Sequence, residues 1–133
     1  MKAHFIFYVS DQERSTAFYS SVLGDLPTLN VPGMTEFKLS DSSVLGLMPE
    51  SGIVRLLRKA IIHPSLAHGA PRAELYLVVE DAAAFHARAV ESGAREVSPP
   101  ALRAWGQAVG YCLDPDGHVL AFASPALTQA DQI

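Results

Sequence analysis

A chain of 133 residues, 49% hydrophobic and 18% charged, has the size of one domain and enough apolar surface to offset the entropy of ordering. Its formal net charge of −4 excludes a nucleic-acid binder, because such proteins cluster Lys and Arg against phosphates and the one basic cluster, Arg55, Arg58 and Lys59, is small and isolated. No apolar run approaches the ~20 residues that span a bilayer, and the first ten residues lack a signal-peptide pattern. The single cysteine, Cys112, permits no internal disulfide and sits in an apolar run, so a buried, inert thiol in a cytoplasmic protein is expected.

In chain order, HFIFYVS (4–10) is apolar, aromatic and too short for a helix, and reads as a strand. Ser10 or Asp11 then caps a helix that ends at Gly24, with a stripe of Ala17, Phe18, Val22 and Ser21. Short strands are expected at 27–31, 34–40 and 44–48, with a turn at 41–43. A Pro- and Gly-bearing connector follows over 49–72, within which 53–62 predicts one short helix. ELYLVVE (74–80) is again a strand, and Asp81 opens a helix with a stripe of Phe85, Ala89 and Val90, ending at Gly93. An irregular edge strand carrying two prolines is expected at 95–103. Strands at 107–113 and 118–124 flank Asp114-Pro115-Asp116-Gly117, a strong turn signal with Pro second and Gly last. The tail 125–133 reads as loose.

Adding 70 carries His4 to Glu74, Val9 to Val79 and Asp11 to Asp81, so strand, cap, helix and terminating Gly recur in one order. Both halves spell βαβββ. The expected fold class is α+β, one domain over 1–124, with module one at 1–48, a linker at 49–72 and module two at 73–124.

Two such units, with His4, Asp11, Phe18, Tyr19, Leu23 and Gly24 in the first and Val79, Asp81, Gly93, Trp105, Gly106 and 114–117 in the second, resemble the vicinal oxygen chelate superfamily of glyoxalase I and the bleomycin-resistance proteins. The resemblance covers about 120 of the 133 residues. It implies a curved, barrel-like mixed sheet with helices on its convex face, a metal or ligand on the concave face, and a homodimer. It also implies four metal-ligand positions, which fall on His4, Gly46, Glu74 and Ala121. Half of that set carries no donor, whereas a divalent ion wants four to six, so no metal and no cofactor are expected. Glu50, four residues beyond Gly46, would lie roughly 13 Å along an extended strand, too far to substitute. His118 has the opposite parity to Ala121, and His63 and His68 lie in the linker.

Strand alternation assigns the inner face independently of the resemblance: His4, Ile6 and Tyr8; Val44, Gly46 and Met48; Glu74, Tyr76 and Val78; Val119, Ala121 and Ala123. Phe5, Phe7 and Val9, with Leu75, Leu77 and Val79, fall on the helix side. Apolar walls with a few polar groups suit a small-molecule site. The candidate ligand-binding residues are His4, Tyr8, Met48, Glu74, Tyr76 and Trp105. His4 and Glu74 are readable as a mutually satisfied pair, as a ligand contact or proton shuttle, or as the remnant of a metal site. Trp105 is readable as a core or interface anchor or as a lid that stacks on a flat ligand, and Arg103 as a solvated edge residue or an anion contact. The expected function is binding and sequestration of an amphipathic or aromatic small molecule, an antibiotic among the candidates. The rival is a metal-dependent lyase, isomerase or dioxygenase of glyoxalase type; a scaffold with an idle cavity is the third reading. No nucleic acid and no membrane are expected among its partners.

Overall fold

The computed structural model describes residues 1–125. Two compact units divide the chain, Met1–Ala70 and Pro71–Ile133. The first unit contains β1 (Ala3–Val9), α1 (Gln12–Leu23), β2 (Leu29–Val31), β3 (Met34–Ser40), β4 (Ser43–Pro49) and α2 (Glu50–Leu57), then 3-10 turns at Arg58–Ala60 and Pro64–Ala67. The second contains β5 (Glu74–Val78), α3 (Ala82–Glu91), β6 (Arg95–Leu102), β7 (Ala108–Leu113) and β8 (Val119–Ala123). The sheets have matching orders, β1-β4-β3-β2 and β5-β8-β7-β6, each with one parallel pair, β1 with β4 and β5 with β8. The α+β class and the two βαβββ modules are therefore as the repeat predicts. Among the described residues no helix is long and apolar enough to cross a membrane. The expected loose tail from Pro125 lies, apart from Pro125 itself, outside the described residues.

Local rules account for the element ends. Asp11 accepts the backbone N–H of Arg14 at 3.0 Å, and Asp81 that of Ala84 at 3.0 Å, so both helices begin on a side-chain cap. Gly24 closes α1 at φ 69°, a left-handed conformation that glycine adopts without a Cβ penalty.

The helix stripes depart from expectation. In α1 the buried positions are Ser15, Phe18, Tyr19 and Val22, spaced i, i+3, i+4, i+7, while Ala17 and Ser21 face out. A serine and a phenol carry part of the stripe, which hides it from a hydrophobicity pattern. In α3 the buried set is Ala82, His86 and Ala89, and Val90 is exposed. The helix expected over 53–62 starts earlier and stops at Leu57, because Arg58 takes φ 51° and cannot continue it.

In unit one the core lies between α1 and the sheet face bearing Phe7, Val9, Phe37, Leu45 and Leu47. Phe5 shares that face but is 52% exposed, because β1 is an edge strand and α1 packs over β3 and β4. Gln12 ties the helix to the sheet: its Nε2 donates to the Val31 carbonyl (2.8 Å) and to Thr35 Oγ1 (3.0 Å), which satisfies the fully buried Thr35 hydroxyl. In unit two, α3 covers Phe122, Leu120 and Cys112. Burial, then Asp114 and Glu96, push the Cys112 thiol up to about 11, so it stays protonated and unreactive as expected. The two prolines of β6 sit where its register with β7 shifts between Ser98 and Ala101.

Candidate functional site

The face of sheet one turned from α1 carries His4, Ile6 and Tyr8 on β1, facing Val44, Gly46 and Met48 on β4 in register. Glu36 on β3 pairs with Gly46, so a glutamate is cross-strand neighbour to the position where the resemblance implied one. Its Oε2 lies 3.3 Å from His4 Nδ1, with both side chains partly exposed. Parity within β3 and the turn at 41–42 would have exposed this partner, but only once the pairing register was known. Met48 rests against Gly52 of α2, which half-buries it.

These residues do not form the metal centre that the resemblance describes. A Cβ at Gly46 would stand 3.2 Å from Ile6 Cγ1 and 3.3 Å from Met34 Sδ, so a side chain there would have to displace both neighbours slightly. Among the described residues no three or more His, Cys, Asp or Glu side chains converge where a metal ion could be held. His4 with Glu36 supplies two donors, short of any divalent coordination shell.

In unit two, Tyr76 faces Ala121 on β8, which faces Tyr111 on β7. Val109, Ala121 and Ala123 form a fully buried apolar cluster against which both tyrosines pack. A hydrogen-bond chain of fixed direction runs along its edge. Trp105 Nε1 donates to the Tyr76 hydroxyl (2.9 Å), which donates to Gln107 Oε1 (2.6 Å), while Gln107 Nε2 donates to the Ser124 carbonyl (2.9 Å). Trp105 is 56% exposed, which removes the core reading and leaves its ring standing out from the Tyr76 hydroxyl. Burial, together with the charge of Glu74 and the neighbouring Tyr76 hydroxyl, raises the Tyr111 phenol, with Arg103 opposing, so it remains a neutral donor.

Arg103 is not a solvated edge residue. Its Nε and Nη2 donate to the Val109 carbonyl at 3.1 and 2.8 Å, and Nη2 also reaches Ser98 Oγ at 2.9 Å and the Pro99 carbonyl at 3.2 Å. The guanidinium lies 5.2 Å from the Tyr111 ring centroid. Of the six expected binding residues, the structure brings Tyr76 and Trp105 into direct contact. It places His4, Tyr8 and Met48 on one sheet face and Glu74 with Tyr76 on another. Glu36, Tyr111 and Gln107 are additions: Tyr111 was legible by parity with Ala121 across the 114–117 turn, whereas Gln107 carried no signal.

His63 and His118 have structural surroundings. His63 Nδ1 accepts the Ser65 N–H at 3.1 Å and starts a 3-10 turn. His118, 2% exposed, meets Asp114 through Nδ1 at 3.0 Å and Arg72 through Nε2 at 3.2 Å. An arginine only donates, so Nε2 accepts and the imidazole proton belongs on Nδ1, directed at the carboxylate.

No curated protein matches the chain. Solved structures do. A glyoxalase-related enzyme from Fulvimarina pelagi superposes with a TM-score of 0.76 at 22% identity, covering 93% of this chain and 87% of that one. A glyoxalase/bleomycin resistance protein from Catenulispora acidiphila gives 0.65 at 26% identity, with 93% and 97% covered. A glyoxalase/bleomycin resistance protein/dioxygenase from Nocardioides gives 0.66 at 21%, with 96% and 89% covered. The model of one family matches residues 3–122, nearly the whole of both modules. With its paired βαβββ units, the chain thus belongs to the Glyoxalase/Bleomycin resistance protein/Dioxygenase superfamily.

Proposed function

We propose that the protein binds and sequesters a planar, amphipathic small molecule, antibiotics being one candidate class, on the Tyr76–Trp105 face. The observation that carries this reading is the indole held 56% exposed by its one polar atom on the Tyr76 hydroxyl, with Tyr76 and Tyr111 both packed on a buried apolar cluster. An exposed aromatic anchored in place offers stacking area with little left to order on binding. A metal-dependent reaction is less supported, because Gly46 and Ala121 contribute no donor.

Trp105 is the only tryptophan, so it reports on its own site. Titration with anthraquinone-2-carboxamide, a flat neutral probe, should quench its fluorescence saturably. By calorimetry, Trp105→Ala should weaken that binding about tenfold or more, as for a central aromatic contact. Its stability loss should be near the ~1 kcal/mol of one hydrogen bond and not the ~3–5 kcal/mol of a core tryptophan. Unchanged affinity in the variant would remove the site.

A homodimer is proposed with it. Leu56, Leu57, Ile62 and Leu66, on α2 and the segment after it, are all exposed, and a small domain gains by covering such apolar surface. Sedimentation velocity at micromolar concentration should give twice the chain mass; a monomer would refute the dimer. The single buried cysteine fits a reducing, cytoplasmic setting.

A further inference from the structure

We infer that the ligand of this face carries a carboxylate or comparable oxyanion, received by Nη1 of Arg103. The inference rests on the reading of the Tyr76–Trp105 face as a ligand site and adds the chemical class of what it takes.

Arg103 begins the turn that presents Trp105: its backbone N–H donates to the Gln107 carbonyl at 2.9 Å, and it accepts the Gly106 N–H at 3.0 Å. Its side chain is half-buried, yet every group it binds is neutral: the Val109 and Pro99 carbonyls and the Ser98 hydroxyl. Among the described residues no carboxylate lies within ion-pair distance of it, and Nη1 makes no hydrogen bond. Removing an arginine wholly from water without an anion is costly, and a ligand that covers this half-buried one would have to supply that anion. Here the cation is unmatched while its orientation is fixed through Nε and Nη2. Two N–H groups of Nη1 are left over, in the planar arrangement that suits an oxyanion. Since the side chain is already immobilised, binding forfeits little further entropy.

The guanidinium lies against the Tyr111 ring, so a molecule stacked on the tyrosine row has its edge beside the charge. The acid on the same face is anchored toward its other end. Arg103 is pinned to Val109, which pairs through Ala123 with Val78, whereas Glu74 stands four residues back along β5. At about 3.3 Å per residue that sets their backbone anchors roughly 13 Å apart along the strands, with the Tyr111 phenol between them feeling both charges. The face is therefore polarised, positive at the Val109 end, aromatic in the middle and negative at the Glu74 end.

The test compares anthraquinone-2-carboxylate with anthraquinone-2-carboxamide, which share their rings and differ in charge, by calorimetry on the intact chain. The carboxylate should bind about tenfold more tightly, as for a charge-assisted hydrogen bond, and the advantage should shrink as salt rises. Arg103→Met should abolish the advantage by weakening the carboxylate alone. Equal binding of both probes, or tighter binding of the amide, overturns the anion inference and leaves the ligand site standing. Binding of neither probe overturns the site itself. If Arg103→Met fails to fold, the wild-type preference and its salt dependence decide the matter on their own.

Discussion

Replacing Asp114 by Ala is expected to lower the unfolding free energy by about 3 kcal/mol or more, since each buried donor left unsatisfied costs about 1–3 kcal/mol. Asp114 is 6% exposed, and its Oδ1 accepts the backbone N–H groups of Asp116 and His118, both at 2.9 Å. Its Oδ2 faces His118 Nδ1 at 3.0 Å, and His118 in turn faces Arg72, whose Nη2 also donates to the Asp116 carbonyl at 2.7 Å. One carboxylate thus organises the turn between β7 and β8 and, through the imidazole, fastens the segment leading into β5. Asp114→Asn should cost less, because its carbonyl oxygen still serves the two backbone donors while its amide meets the imidazole N–H badly. Urea denaturation with unchanged m-value measures both. An alanine variant within about 1 kcal/mol of the parent, the worth of a single ordinary hydrogen bond, would show that the turn holds without the carboxylate.

The second large effect is expected at Gly110. A Cβ built there would come within 2.5 Å of His86 Nδ1 and 3.1 Å of its Cγ and Cε1. The imidazole cannot simply swing aside: His86 is 4% exposed on α3, and its Nε2 is 2.8 Å from Glu96 Oε2. Gly110→Ala must therefore push α3 off β7 or break the histidine–glutamate contact. Overpacking of this kind costs about 1–3 kcal/mol, and losing the charge-assisted contact adds about 1.5–3 kcal/mol. His86→Ala should itself be destabilising, yet in the Gly110→Ala background it should recover stability, since it removes the obstructing ring. A double-mutant cycle reads that reversal directly. Additive losses would mean that the two residues do not touch in solution.

The repeat, the Asp81 cap, the first cap to within Ser10 or Asp11, the terminating glycine of α1 and the 114–117 turn were legible because each is a local pattern, decided by neighbours within a few residues. The alternation that placed His4 with Tyr8 and Glu74 with Tyr76 was legible for the same reason, since a strand reverses its side chains at every residue. The stripes of α1 and α3 were only half legible, because Ser15, Tyr19 and His86 are buried through specific polar partners or packing that residue type does not announce.

The chemistry of the site depended on register between strands distant in sequence. Nothing local in MTEFKLS says that Glu36 will stand beside Gly46 and reach His4, since sliding β3 by one residue would turn that glutamate to the other face. Arg103 reads as a surface cation until β6 and β7 pair and bring the Val109 carbonyl and the Ser98 hydroxyl within reach of one guanidinium. Trp105 was ambiguous until the turn put its N–H on the Tyr76 hydroxyl, 29 positions earlier in the chain. The sequence by itself determined the modules, their caps and the faces of their strands, because those follow from backbone sterics and short-range hydrogen bonds. The tertiary structure decided which polar groups meet on those faces, because a hydrogen bond needs partners within about 3 Å and only strand register brings distant residues that close.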